Sequence, residues 1–264
     1  MLGIFDSGLG GLTVLQQLRS RLPHHDITYL ADQAHVPYGD RTAEELLGYM
    51  RDNLAYLNEQ GANVIVVACN TSAAIAALHG WPPSDAPVLD LIDNAAQAIG
   101  ALGAGRIGVV ATTVTTRSGA YGKAIRACVP GADVKEVAAP ALVPLVEAGS
   151  YSGRAVRAAV EEACAQFDPD LDVLVYGCTH YPILDAHFAA ALGEDVVRLD
   201  PAVAQADATV RFVKERGIRE GRGATHYATT GDPMAFATAV RALLGEEVPH
   251  VAVAGEIPTR IGNT

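Results

Sequence analysis

Two stretches of the chain repeat one arrangement, a short apolar run followed by a cysteine and a polar turn. In the first, Val64–Val67 leads to residues 69–71 (Cys-Asn-Thr); in the second, residues 173–176 lead to residues 178–180 (Cys-Thr-His). Short apolar runs rich in β-branched residues and bounded by turn residues are typical of buried strands. Ligands bind beyond the carboxyl ends of such strands in open α/β sheets. The pair therefore predicts an α/β protein with a functional thiol at each of two strand ends.

Composition narrows the range of partners and compartments. With 264 residues, half of them hydrophobic, the chain can form one large domain or two ordinary ones. The net charge of −11 argues against nucleic acid and anionic membrane surfaces as partners, so any anionic substrate must be bound by local groups. No apolar run reaches the roughly 18 residues of a membrane helix, and the N-terminus lacks a signal peptide's pattern. We therefore expect a cytoplasmic protein with four free thiols, at Cys69, Cys128, Cys164 and Cys178.

Strands and helices alternate along most of the chain, and the order starts again after the glycine-rich residues 103–105. Asp6 precedes Cys69 by 63 residues and Thr112 precedes Cys178 by 66, which indicates two half-alike α/β units. We predict one domain from residues 1–93 plus 207–264 and another from residues 94–206. The predicted strands are 3–5, 26–31, 64–67, 88–92, 106–111, 134–137, 173–176 and 225–229. The predicted helices are 13–22, 42–60 (opened by a capping box), 72–79, 94–102, 119–128, 142–147, 152–166, 204–215 and 233–244.

Some segments carry no helix or strand prediction. Residues 112–118 are predicted to be a polar turn. From Glu246 the tail has no usable periodicity, and we expect it to be loosely ordered.

Two thiols facing each other across a cleft suit the removal of a Cα proton from one face and its return on the other. One sulfur must be a thiolate and the other a thiol, and a carboxylate or imidazole beside each would set those states. Asp6 is the candidate partner of Cys69, and His180 that of Cys178. Free cysteines more often pack as small hydrophobic residues, and that is our interpretation of Cys128 and Cys164, inside helical patterns.

Other interpretations of the polar residues remain open at this point. The spacing Cys178-x-His180 alternates faces of an extended segment, and no CxxC or HxxxH pair occurs, so a metal site is not predicted. The glycine turn 8–11 matches no phosphate-loop motif, although Ser7 and the turn's N–H groups could hold a carboxylate. The remaining candidates also have ordinary structural interpretations, as helix caps, a turn or a surface carboxylate: Asp6, residues 37–39, Thr112, Thr115, Thr116 and Glu147.

The ordered set of motifs resembles the bacterial glutamate racemases, of the cofactor-independent aspartate/glutamate racemase superfamily. The matching segments run in the family's order and are residues 5–8 (FDSG), 10–15 (GGLTVL), 36–39 (VPYG), 68–71 (ACNT), 118–121 (SGAY), 143–147 (VPLVE) and 177–182 (GCTHYP). The resemblance implies two pseudo-symmetric Rossmann-like, doubly wound domains with the active site in the cleft between them.

The resemblance also implies a role for each site residue. Cys69 and Cys178 would be the acid/base thiols, tuned by Asp6, Glu147 and His180. The substrate would be held by Asp6, Ser7, Pro37, Tyr38, Gly39, Asn70, Thr71, Thr115, Thr179 and His180. The implied substrate is L- or D-glutamate and the implied role is to supply D-glutamate for peptidoglycan, without pyridoxal phosphate or metal. Whether the chain forms a homodimer is left open.

Two departures from the family pattern bear on the substrate. The second strand ends Leu30-Ala31-Asp32 where Phe-Gly-Asp is expected, and the fourth carries Asp90 and Asp93, which would disfavour a dicarboxylate if they faced the cleft. The residue after Cys178-Thr179 is His180, as in glutamate racemases, whereas aspartate racemases carry Glu. The alternatives are a racemase of another acidic amino acid, a hydrolase with Cys178 as nucleophile and His180 as base, and a two-lobed binding protein without catalysis.

Overall fold

The computed structural model describes residues 1–254, and their strands form two separate sheets. The strands are β1 Leu2–Asp6, β2 Ile27–Ala31, β3 Val64–Val67, β4 Val88–Leu89, β5 Arg106–Ala111, β6 Asp133–Ala138, β7 Val173–Gly177, β8 Val197–Leu199, β9 Thr225–Thr229 and β10 Val251–Val253. The first sheet has the order β10-β9-β2-β1-β3-β4 and the second the order β6-β5-β7-β8. Every pairing is parallel, so each connection crosses over through a helix.

Helices connect these strands, and one of them begins at the predicted capping box. They are α1 Leu12–Arg21, α2 Ala43–Glu59, α3 Asn70–His79, α4 Ile92–Leu102, α5 Thr113–Ser118, α6 Ala120–Cys128, α7 Leu142–Glu147, α8 Arg154–Cys164, α9 Asp185–Leu192, α10 Pro201–Arg216 and α11 Pro233–Leu244. The predicted capping box is confirmed: Thr42 Oγ1 accepts from Glu45 N at 3.3 Å, and Glu45 Oε2 accepts from Thr42 N at 2.8 Å. Such a cap satisfies two N–H groups that the first helical turn leaves without partners.

The first sheet is covered on both faces, as parallel sheets require. On one face Ile4 and Val66 lie in the same apolar cluster as Leu15 of α1 and Ala206 of α10. On the other face Phe5, Ile65 and Val67 pack with Leu46, Met50 and Leu54 of α2. Burying each of these larger side chains is worth roughly 1.5–3 kcal/mol. This double cover holds the carboxyl ends of the strands in a fixed frame.

The two sheets share one topology, and this confirms the predicted fold class. The order β2-β1-β3-β4 in the first sheet matches β6-β5-β7-β8 in the second, so β5 corresponds to β1 and β7 to β3. Ligands bind where the connections leave a central strand in opposite directions. At the carboxyl ends of β1, β3, β5 and β7 lie Asp6, Cys69, Thr112 and Cys178, with Cys69 two residues beyond the end of its strand.

The chain passes between the sheets twice, through α4 and through α10. These two helices pack on each other, and Asn94 Nδ2 donates to Gln205 Oε1 at 2.6 Å. Gln205 Nε2 in turn donates to the carbonyl of Leu89 at 2.9 Å. The strands of the first sheet come from residues 2–89 and 225–253, and those of the second from residues 106–199. The domain division stays a proposal, and its boundary between residues 206 and 207 falls inside α10.

The structure differs from the sequence prediction in several segments. Residues 113–118 form α5 rather than a turn, because Thr112 Oγ1 caps it by accepting from Thr115 N at 3.3 Å. Neither α9 nor β8 was predicted. The expected loose tail is wrong for residues 251–253, which form β10 beside β9; residues 255–264 lie outside the described part. Among the helices of residues 1–254, none has both the length and the apolar character needed to cross a membrane.

Candidate active site

Cys69 lies at the end of β3 and caps the start of α3. Its thiol is 3% exposed, and Sγ accepts from the backbone N–H of Ser72 at 3.5 Å. Burial, together with the negative charge of Asp6, raises the pKa of Cys69 to about 12. The helix start alone would lower it, but desolvation of the charged form dominates here. Cys69 is therefore a protonated thiol at neutral pH.

Cys178 follows β7 and faces a buried pair of ionisable groups. His180 Nδ1 lies 3.6 Å from Cys178 Sγ, and His180 Nε2 lies 2.6 Å from Glu147 Oε1. Burial alone would lower the pKa of His180, but its hydrogen bonds with Cys178 and Glu147 outweigh burial and hold that pKa well above its ordinary value. Burial would likewise raise the pKa of Glu147, yet the bond with His180 leaves it lowered. The group beside Cys178 is thus an imidazolium held by a carboxylate.

Asp6 lies between the two thiol-bearing segments and is completely buried. Its Oδ2 accepts from the N–H groups of Gly11 at 2.8 Å and Gly8 at 3.2 Å, and its Oδ1 from Thr179 Oγ1 at 3.3 Å. Burial raises the pKa of Asp6 despite these bonds. Direct contact with Cys69 is not part of this arrangement; Asp6 acts on that thiol through its charge.

The glycine turn binds the protein's own carboxylates. Leu9 N donates to Glu147 Oε1 at 2.8 Å, while Gly8 N and Gly11 N donate to Asp6. The sequence suggested that these N–H groups could hold a carboxylate, and three of them hold Asp6 or Glu147. A side chain at Gly11 would place its Cβ 2.5 Å from Asp6 Cβ, so this close approach requires glycine.

One cavity lies between the thiols, and residues of both sheets line it. Its volume is about 20 Å³, the space of roughly one water molecule. A dicarboxylic amino acid needs more room, so binding requires the walls to move apart. Nine of the predicted site residues line the cavity: Ser7, Pro37, Tyr38, Gly39, Cys69, Asn70, Thr71, Cys178 and Thr179. The other predicted residues, Asp6, Thr115, Glu147 and His180, lie behind this lining.

Four lining residues were not among the predicted site residues: Asp40, Thr112, Pro140 and Val143. Thr112 joins the two sheets, since its Oγ1 lies 3.0 Å from Thr71 Oγ1 and 3.0 Å from Thr115 Oγ1. Its place directly after β5, corresponding to Asp6 after β1, was the sequence signal that could have identified it.

Charged residues singled out from the sequence lie away from this cavity. Arg41 donates to the carbonyl of His35 at 3.3 Å, and Arg117 is exposed. Asp90 accepts from Ile92 N at 2.6 Å just before α4, and burial raises its pKa to about 6. Asp93 is exposed. Of these four described residues none is part of the lining, so the two aspartates do not oppose a dicarboxylate there.

Two thiols that share one cavity, each at the end of a parallel strand, define the class of the protein. It is an α/β protein with a paired-thiol site between two parallel sheets. Among residues 1–254, His, Cys, Asp and Glu side chains form no group of three that could hold a metal ion.

Comparison with known proteins identifies the family. The Asp/Glu/Hydantoin racemase family model matches residues 13–209. A curated glutamate racemase of Gloeobacter violaceus is 43% identical over 240 residues, 90% of each chain. The glutamate racemase of Thermus thermophilus, solved with β-chloro-D-alanine, superposes with a TM-score of 0.84 at 34% identity, covering 96% of this chain and 95% of its own. That of Francisella tularensis, solved with D-glutamate, gives 0.87 at 30%, covering 96% of both chains.

The chain therefore belongs to the Asp/Glu/Hydantoin racemase family, and it is an isomerase of the racemase class. The resemblance seen in the sequence motifs is confirmed.

Proposed function

We propose that the protein interconverts L- and D-glutamate by two-base transfer of the α-proton, with Cys69 and Cys178 as the two bases. The observation that carries the proposal is that both thiols line one cavity from opposite sheets. The racemases of Thermus thermophilus and Francisella tularensis, the latter solved with D-glutamate, support the choice of substrate. In the cytoplasm the product would supply D-glutamate for peptidoglycan.

The charges around the two thiols favour one starting state. We assign Cys69, with its pKa of about 12, as the proton donor and Cys178, whose Sγ lies 3.6 Å from His180 Nδ1, as the base in the direction from L-glutamate. Cys178 then takes the α-proton of L-glutamate, and the electron pair of the broken Cα–H bond stays on the substrate. Cys69 gives its proton to the opposite face of Cα, forming D-glutamate. In the reverse direction the two sulfurs exchange roles, and Cys69 takes the proton from D-glutamate.

Substrate binding would rest mainly on neutral groups. Ser7, Asn70, Thr71 and Thr179 offer hydroxyl and amide groups to the ammonium and carboxylates, and residues 37–39 offer backbone groups. The Tyr38 hydroxyl has other partners: it donates to Asp32 and accepts from Asn53 Nδ2 at 3.1 Å. Tyr38 would therefore contribute its ring and backbone.

The proposed mechanism uses only side chains of this protein and needs no cofactor. Pyridoxal phosphate requires a lysine for its Schiff base. The three lysines of the sequence, Lys123, Lys135 and Lys214, are all exposed and outside the cavity lining. We propose that the reaction is independent of both pyridoxal phosphate and metal.

The test follows the circular dichroism of L-glutamate in heavy water with purified protein. We expect the signal to decay to zero, with deuterium at Cα of the D-product and initially none in the remaining L-substrate. A constant signal would overturn the proposed function. Product that keeps its original α-hydrogen would overturn the two-base mechanism alone.

A further inference from the structure

Asp32 follows β2 directly and is 1% exposed, yet the proposed chemistry gives it no role. Its backbone N–H donates to the carbonyl of Asp6 at 2.9 Å, which extends the pairing of β1 and β2 by one residue. The carboxylate of Asp32 is thereby anchored beside the strand that carries Asp6. A buried carboxylate persists only when donors satisfy it.

Three donors from separate segments meet at this carboxylate. Thr230 Oγ1 donates to Oδ1 at 2.7 Å, His35 Nδ1 lies 2.8 Å from Oδ1, and the Tyr38 hydroxyl donates to Oδ2. Hydrogen bonds to a charged acceptor are about twice as strong as neutral ones. Asp32 therefore ties the segment from His35 to Tyr38 to the end of β9.

Residues of α2 also contact the segment from His35 to Tyr38. The His35 ring stacks on Tyr49, with centroids 3.9 Å apart, and Asn53 Nδ2 donates to the Tyr38 hydroxyl at 3.1 Å. The Tyr38 hydroxyl thus has both a donor and an acceptor inside the protein, and the residue is 2% exposed. This leaves the phenol as an anchor for the loop.

The anchored loop ends against the other sheet. Gly39 follows Tyr38, and a Cβ at Gly39 would lie 2.9 Å from Thr112 Cβ. Thr112 belongs to the hydroxyl cluster with Thr71 and Thr115 that joins the two walls of the cavity. The position of Tyr38 therefore sets where residues 37–39 meet the opposite wall.

We infer that Asp32 is a positioning residue, which acts through Tyr38 to hold the substrate-binding loop 37–39 against Thr112. Asp32 is not itself one of the residues that line the cavity. Losing it frees the loop, so that substrate binding must order the loop again, and this weakens binding more than proton transfer. The kinetic part of the inference rests on the proposed racemisation of glutamate.

The test is a double-mutant cycle of Asp32→Ala and Tyr38→Phe. For each single variant we expect the KM for both enantiomers to rise about tenfold, with kcat within about threefold. The double variant should be no worse than Asp32→Ala alone, since the two residues act as one unit. Independent, multiplying effects, or an unchanged KM in Asp32→Ala, would overturn the inference.

The matched control is Asp26→Ala, at the other end of β2. Asp26 also holds a loop, accepting from Arg222 N at 2.9 Å and Ala224 N at 3.0 Å, but far from the cavity. Its loss should lower stability and leave KM within about twofold. If Asp32→Ala does not fold, Tyr38→Phe carries the test with the same expected KM.

Hydrogen exchange of the substrate-free protein gives a readout that needs no activity. In Asp32→Ala, the amides of Ala34, His35 and Arg41 should exchange at least tenfold faster, whereas Asp26→Ala should speed exchange at 222–224 only. Unchanged exchange at Ala34, His35 and Arg41 would overturn the positioning role. Wild-type protein inactive on glutamate would overturn the proposed function, and the exchange result would still decide the role of Asp32.

Discussion

Glu147 Oε1 lies 2.6 Å from Nε2 of His180, whose other ring nitrogen faces the sulfur of Cys178. Burial alone would lower the pKa of His180, but this carboxylate and the thiol raise it. The pair places an imidazolium beside Cys178, whereas the ionisable group that acts on Cys69 is the carboxyl of Asp6. The first prediction follows from this asymmetry.

Glu147→Gln should lower the pKa of His180 and reduce kcat/KM for L-glutamate about 10- to 100-fold, the equivalent of one charged hydrogen bond. The imidazolium form is the active one in this direction, so activity falls as pH rises through the pKa of His180. The alkaline limb of the pH profile should therefore move to lower pH in the variant. A limb at the wild-type position would show that Glu147 does not support this charge.

Replacing either thiol should leave an enzyme that can transfer the α-proton on only one face of Cα. Cys69→Ala and Cys178→Ala should each lower racemisation by at least about 10²–10⁴-fold, the usual contribution of a positioned acid or base. In heavy water Cys69→Ala should still exchange the α-hydrogen of L-glutamate, and Cys178→Ala that of D-glutamate. Cys128→Ala, at an exposed cysteine outside the cavity lining, is the control and should racemise normally.

The triple variant Lys123→Arg, Lys135→Arg, Lys214→Arg should keep kcat within about twofold. Arginine retains the charge but cannot form the Schiff base that pyridoxal phosphate needs. Purified wild-type protein should be colourless and remain active after hydroxylamine treatment and dialysis. Activity that returns only when pyridoxal phosphate is added would contradict independence from that cofactor.

Asp90→Asn should stabilise the protein at pH 8 but not at pH 4. Burial raises the pKa of Asp90 to about 6, against about 3.9 in unfolded chains, so the folded state holds a proton that the unfolded state releases. Stability therefore falls as pH rises from about 4 to 6. Because Asp90 is partly exposed, we expect a gain of about 1 kcal/mol in the free energy of unfolding.

Urea unfolding at both pH values measures this, with the exposed Asp93→Asn as control. Asparagine at position 90 can still accept from Ile92 N through its side-chain oxygen, so this hydrogen bond is retained. An equal effect of Asp90→Asn at both pH values would show that its ionisation is not the cause.

The protein should prefer glutamate to aspartate, and His180→Glu should cripple it. One methylene discriminates by only about 1–3 kcal/mol, so the selectivity must come from the groups around the cavity. A glutamate at position 180 would place its carboxylate near Glu147 and Cys178. The negative charge of this carboxylate would repel both groups. The measurement is the turnover of L-glutamate and L-aspartate by wild-type protein when both are present. Comparable rates would contradict the preference.

Local signals were sufficient for much of the fold. Val64–Val67 is a continuous run of β-branched residues, and this strand and those at Arg106–Ala111 and Thr225–Thr229 have the predicted bounds. The three-residue β8, with Arg198 at its centre, has no such pattern and exists through its pairing with β7. Its sheet neighbour, rather than its own sequence, makes it a strand.

The site shows the same limit more sharply. Residues at strand ends, such as Cys69 and Cys178, could be predicted because topology alone brings them together. The partners of Asp32 could not, since Thr230 lies 198 positions away and the contact depends on how β9 pairs with β2. The carboxylate held by the glycine turn could not be identified for a similar reason: Leu9 donates to Glu147, 138 positions later.

The two helices that connect the sheets, α4 and α10, limit how the cavity of about 20 Å³ can open. A single connection between the two sheets would let them both rotate and twist relative to each other. Here α4 and α10 run side by side and are joined through Asn94 and Gln205. Two adjacent connections therefore restrain the relative movement of the two sheets. We therefore expect the two sheets to move apart by rotation about α4 and α10 when substrate enters, with Asn94 and Gln205 close to the axis.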